Sequence, residues 1–169
     1  MIHWIGKWIL LFCFAAIGVG EAGRLQKRTR CLNEFRMALG TMERELSFSL
    51  LPVGALLAKM QAGVSGRVKT FLVNCAENFR LCEEERCGEI WNRTLMESDL
   101  PLREDDLLLV GEVGNILGKY DGESQGAALV RIQDKLEELS LAAKEETERM
   151  GRVYITVGIV AGLFCMILL

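Results

Sequence analysis

The stretch Leu25–Leu46, LQKRTRCLNEFRMALGTMEREL, decides the fold. Leu25, Leu32, Phe35, Leu39, Met42 and Leu46 step by seven, then three, four, three and four. On a helix that spacing gathers the apolar side chains into one heptad stripe, which calls for a helical partner rather than open water. Strand-like alternation is absent and only two prolines occur, Pro52 and Pro101, so helix is the expected state almost throughout.

Working outward, Pro52 ends this helix because it has no N–H to give and clashes with the preceding turn. A short helix follows with Val53, Leu56, Leu57 and Met60 on one side, closed by Gly63 and Gly66. Ser65 is expected to cap a third helix, in which Val68, Leu72, Cys75, Phe79 and Cys82 recur at helical spacing. Beyond the charged patch Glu83–Arg86 come Ile90, Trp91 and Leu95, either on the same helix or on a separate one. Ser98-Asp99-Leu100-Pro101 is a clear break. A fifth helix carries Leu107, Val110, Gly114 and Leu117 and stops at Gly118. The last helix begins near Ser124 and repeats the regular pattern with Leu129, Ile132, Leu136, Leu139 and Ala143, then Met150 and Val157. Its stripe makes it the natural antiparallel partner of Leu25–Leu46.

Both ends are apolar. The first apolar segment runs from Trp8 to Gly20 and reaches back through Trp4 and Ile5 if Lys7 snorkels, giving roughly 20 residues, enough to cross a bilayer core. A signal-peptide apolar region is the competing reading of the shorter version. The second segment, Val153–Leu169, reads VYITVGIVAGLFCMILL, carries no charge and spans about 25 Å as a helix. Arg24, Lys27, Arg28 and Arg30 follow the first segment; Lys144, Arg149 and Arg152 precede the second. An excess of Lys and Arg marks the cytoplasmic side, so the middle is expected in the cytoplasm and both termini across the membrane. The expected organisation is a transmembrane segment over 1–23, a cytoplasmic helical domain over 24–152 and a second transmembrane segment over 153–169. Gly158 and Gly162 form G-x-x-x-G, and Ala16 with Gly20 makes a similar small face, so these four residues are expected at transmembrane packing faces.

Half of the residues are apolar and the mean hydropathy is +0.21, high for a soluble domain. Net charge is −3 with both signs mixed, which lacks the concentrated basic face of a nucleic-acid binder. The six cysteines form no C-x-x-C pair and have no nearby histidine, so free thiols are expected rather than zinc or bridges. The single histidine, His3, sits at the terminus, which excludes a His-based triad in the middle domain. No phosphate-cradling motif occurs. The acidic run Glu104-Asp105-Asp106 belongs to a first helical turn, where carboxylates complement the dipole. Asn92-Arg93-Thr94 matches a glycosylation acceptor by chance. No catalytic, cofactor-binding or metal residues are expected, and no small-molecule substrate. An exported helical binding protein with a cleaved signal and a C-terminal anchor remains the alternative, with a small lipid-acting membrane enzyme as a third class.

The two-anchor layout, ELSFSLLPV around Pro52, VGNILGKYDGESQ and the final GRVYITVGIVAGLFCMILL together resemble the stage III sporulation protein AB family of endospore-forming bacteria. The match runs through nearly the whole chain, with Gly114, Leu117, Gly118, Asp121 and Gln125 at the family's spacing. The family usually has Thr-Pro-Leu where this chain has Leu51-Pro52-Val53. The resemblance implies an all-α fold, a compact six-helix bundle similar to the cytoplasmic domain of type II secretion F proteins, flanked by N- and C-terminal transmembrane helices. It also implies a non-enzymatic part in the mother-cell complex that joins mother cell and forespore, in the mother-cell membrane around the forespore. There the protein would link a secretion-type ATPase to membrane partners. The turn bearing Gly118, Asp121 and Gln125 is then expected to be either a capped corner or a docking edge for that ATPase.

Overall fold

A computed structural model describes the backbone of residues 2–48, 51–81, 86–117 and 122–168, and the side chains of residues 16, 19–46, 51–81, 86–117, 125–161 and 163–164. Six helices follow one another: α1 (Ile2–Phe48), α2 (Val53–Ala62), α3 (Gly66–Leu81), α4 (Cys87–Glu97), α5 (Glu104–Ile116) and α6 (Gly122–Leu168). Among the described residues there is no strand. The chain divides into two compact units: residues 1–29 with 141–169, and residues 30–140.

The 30–140 unit is a helical core built from the expected stripes. Leu32, Phe35, Leu39 and Met42 of α1 and Leu129, Ile132 and Leu136 of α6 are all buried, while Leu46 and Leu139 are half-buried at the margins. The two segments run antiparallel: Arg36 pairs with Glu137 at 3.2 Å, and a Cβ built on Gly40 would meet the Gln133 side chain. Helices α2–α5 then pack in succession, each on the next. Phe35, Phe71 and Trp91 join α1, α3 and α4, with ring centroids 5.6 and 4.8 Å apart and the second pair edge-on. Such pairs add about 0.5–1.5 kcal/mol beyond burial. Trp91 is wholly buried, and its indole N–H donates to the Val110 carbonyl at 3.0 Å.

One open alternative is decided and several expectations change. Arg86 takes an extended conformation and begins α4, so α3 and α4 are separate helices. Ser65 does not cap α3 with its side chain; its hydroxyl donates instead to Glu34 at 2.7 Å and accepts from Arg30 at 3.0 Å. Entry into α3 is made by Gly66, whose φ of +53° is a left-handed value that side chains resist. On α5 the buried face is Asp106, Leu109, Val110, Val113, Gly114 and Ile116, so the helix is rotated from the expected stripe and Leu107 and Leu117 lie at its margins. Phe79 is only half-buried, and Phe71, absent from the expected α3 stripe, fills the core in its place. The α6 helix starts at Gly122 rather than near Ser124.

In the other unit the first part of α1 and the last part of α6 also lie antiparallel. Thr29 and Thr147 share a hydrogen bond of 3.2 Å, Arg28 meets Glu146 at 3.5 Å, and a Cβ on Gly151 would touch that of Ala22. Val157, expected on the inward stripe, is exposed, whereas Gly151 and Gly158, two turns apart, are buried. Small residues let helix backbones approach closely, which explains why they occupy the packed side. Among the described residues no helix is long and apolar enough to cross a membrane. Most of the Trp8–Gly20 side chains, and those of 165–169, lie outside the described residues.

Candidate functional site

Where α5 and α6 lie side by side they enclose a cleft of about 520 Å³. Its α5 wall carries Glu112, Asn115 and Ile116, and its α6 wall carries Arg131, Ile132 and Lys135. Helical spacing explains the grouping, because residues three and four apart share a face. Ile116 and Ile132 are buried and form the floor, while Glu112, Asn115, Arg131 and Lys135 are exposed along the rims. Among the described residues no hydrogen bond or ion pair engages Glu112, Arg131 or Lys135. The described lining holds no histidine, cysteine or hydroxyl, and its polar groups are the Glu112 carboxylate, the Asn115 amide, the Arg131 guanidinium and the Lys135 amine. Among the described residues no cluster of metal-ligating side chains gathers.

The expected docking residues Gly118, Asp121 and Gln125 fall between α5 and the first turns of α6 in the sequence. Gln125 is buried in the first turns of α6 and has an interaction partner. Gly118 and Asp121 lie outside the described residues, as does the packing around Gly162. Of the other expected packing residues, Gly158 is buried, whereas Ala16 and Gly20 are exposed and nothing lies within 4 Å of a Cβ built on Gly20.

A second polar grouping holds the fold together. The Glu34 carboxylate is largely buried and accepts from Arg30 at 3.1 Å and from the Ser65 hydroxyl, tying α1 to the α2–α3 connection. Asp106 is fully buried at the start of α5, where its Oδ2 accepts the Arg103 backbone N–H at 3.0 Å. An arginine side chain has no acceptor, so this cap works in one direction only. Burial pushes the Cys31 thiol up to about 12, helped by the negative charges of Glu34 and Asp106. Burial likewise pushes Cys75 up to about 12, against a hydrogen bond with Thr94 that lowers it. Both thiols are free, buried and protonated at neutral pH, which makes them small core hydrophobes rather than reactive groups.

The expected helical start for the acidic run is present: Glu104, Asp105 and Asp106 occupy the first turn of α5. What the sequence did not single out is the burial of Asp106 or the Arg131–Lys135 pair facing Glu112. The only signal for the latter was an i, i+4 pair of cations on one helix.

Six helices packed in succession, with no strand among the described residues, define an all-α helical-bundle protein. The model of the stage III sporulation protein AB family matches residues 3–169, and the chain belongs to that family. A solved structure, "Stage III sporulation protein AB", is similar with a TM-score of 0.66 and 19% identity, over 72% of this chain and 96% of that one, and so shares the fold. No curated protein matches the chain.

Proposed function

We propose that this sporulation-family protein is a non-enzymatic, membrane-anchored component of a mother cell–forespore channel complex, linking a cytoplasmic ATPase to membrane partners. The carrying observation is the apolar sleeve near the end of α6. Val153, Tyr154, Ile155, Val157, Ile159, Val160, Leu163 and Phe164 are all exposed, from 38% to 62%, with no charge among them. Apolar surface around all but the Gly151–Gly158 face of a helix suits lipid or protein cover rather than water. The reading puts transmembrane segments at 1–23 and 153–169 and residues 24–152 in the cytoplasm, where Arg24, Lys27, Lys144, Arg149 and Arg152 meet the headgroups. Gly158 and Gly162 then serve the packing of the spans, and exposed Ala16 and Gly20 face a partner span.

In this reading the α5–α6 region receives the ATPase at the α5–α6 cleft, with Gly118, Asp121 and Gln125 as the sequence-based docking residues beside it in the chain. The test is co-purification. Tagged full-length chain, solubilised in detergent from sporulating cells, should retain a secretion-type ATPase through washing. An intact, folded chain that never retains the ATPase removes the linking role.

A further inference from the structure

The two walls of the α5–α6 cleft differ in sign. The α6 wall presents two cations one helical turn apart, Arg131 and Lys135, and the α5 wall presents one carboxylate, Glu112. Among the described residues neither cation is closed into an ion pair. Asp134 and Glu138 are exposed on α6 without closing on either cation, and Glu137 is engaged by Arg36. The floor is apolar, with Ile116 at 6% and Ile132 at 3% exposure. Leu108, 72% exposed, lies one turn before Glu112 on the same side of α5 and prolongs that wall with apolar surface. A cleft with an apolar floor and rims of opposite sign selects both the type of element it takes and that element's direction. Helix-in-groove recognition uses apolar anchors one turn apart, and flanking charges set register and exclude wrong partners.

We infer that the α5–α6 cleft receives an amphipathic helix of a partner protein, with two carboxylates one turn apart on the edge facing Arg131 and Lys135, a basic residue on the edge facing Glu112, and apolar side chains between. At these exposed rims opposite charges attract and like charges repel, so the rim charges select the partner helix and its direction more than they add affinity. The inference rests on the docking reading of this edge and adds the chemistry of what docks.

The test uses the full-length chain in detergent and a fluorescent synthetic helix bearing the two glutamates, the opposing lysine and leucines between. Anisotropy should show binding to the natural chain. The double variant Arg131→Glu/Lys135→Glu should bind about tenfold or more weakly at low salt, with the gap narrowing at roughly 0.5 M salt. A peptide with lysines in place of the glutamates should prefer the reversed chain. Because the altered residues are exposed, the variant should melt like the parent. Should it not, Glu112→Lys paired with a peptide whose lysine is replaced by glutamate asks the same question from the other wall. No binding to the natural chain, or equal binding to the parent and reversed chains, overturns the inference. So does self-association of the natural chain that the reversal abolishes, since a second copy would then be the occupant. Purified ATPase applied to the same proteins separates the two readings. If it binds parent and reversed chains alike while the peptide discriminates, the cleft chemistry stands and ATPase docking at this edge falls. If only the peptide fails to discriminate, the docking reading survives without this chemistry.

Discussion

Gly88 of α4 and Gly114 of α5 pass backbone against backbone: a Cβ on Gly114 would stand 2.9 Å from the Gly88 carbonyl oxygen, and one on Gly88 would stand 3.0 Å from the Gly114 carbonyl carbon. The Asn92 side chain lies over the same seam, its amide 3.0 Å from where Cβ atoms on Gly111 and Gly114 would sit. At this crossing no side chain fits without moving backbone.

Gly88→Ala should therefore destabilise the protein by about 1–3 kcal/mol through overpacking. Gly54→Ala is the counterpart, because Gly54 is exposed on α2 with nothing within 4 Å of its Cβ position. That change should be neutral or stabilise by about 0.5–1 kcal/mol, since alanine has less backbone freedom to lose in a helix. Urea unfolding followed by circular dichroism compares the two; equal midpoints would refute the close seam.

Asp106→Ala should cost about 1–3 kcal/mol, because it removes a buried acceptor and strands the Arg103 N–H. Asp105 is exposed one residue earlier, and its alanine variant should stay within about 0.5 kcal/mol of the parent. Comparable losses at both positions would show that the dipole rather than burial sets the value of this turn.

The buried thiols predict a pH dependence of definite sign. Folded Cys31 and Cys75 hold their protons up to about 12, against 9.0 for an unperturbed thiol. The unfolded chain then releases these protons first. Their stabilisation is fully present below pH 9.0 and is lost as pH rises from there towards about 12. The Cys31→Ala/Cys75→Ala variant should lose less stability over that window than the parent does. Site-resolved mass spectrometry after maleimide treatment at pH 8 should find half-buried Cys87 modified well before either of them.

Topology is open to direct labelling. With the native cysteines replaced, a single cysteine at exposed Lys135 should resist an impermeant maleimide on intact cells and react once they are permeabilised. Labelling of intact cells would place the domain outside and favour an exported protein with a cleaved signal.

The sequence made the seam between α1 and α6 readable because each stripe carries its period alone: Leu32, Phe35, Leu39 and Met42 needed no knowledge of their partner. The turn of α5 was not readable in that way. Leu107-Leu108-Leu109-Val110 is apolar on every side, and its orientation is set by Asp106 entering the core and by Gly114 meeting Gly88. Ser65 failed as a cap for a similar reason, since Glu34, its actual partner, is 31 residues away. The run VGNILGKYDGESQ stood out in the sequence, but the α5–α6 cleft did not, because Glu112 and Arg131 share a site only once two helices are paired.

The pairing of Thr29 with Thr147 has a consequence for how the chain is made. These residues are 118 positions apart. At bacterial synthesis speeds of about 5–20 residues per second, the early helix leaves the ribosome roughly 6–24 s before its mate exists. During that interval α2–α5 can assemble from neighbouring segments, but the Leu32–Met42 stripe lacks one of its covers. A message truncated before Leu129 should yield a product held by chaperones and degraded, even though four complete helices follow α1.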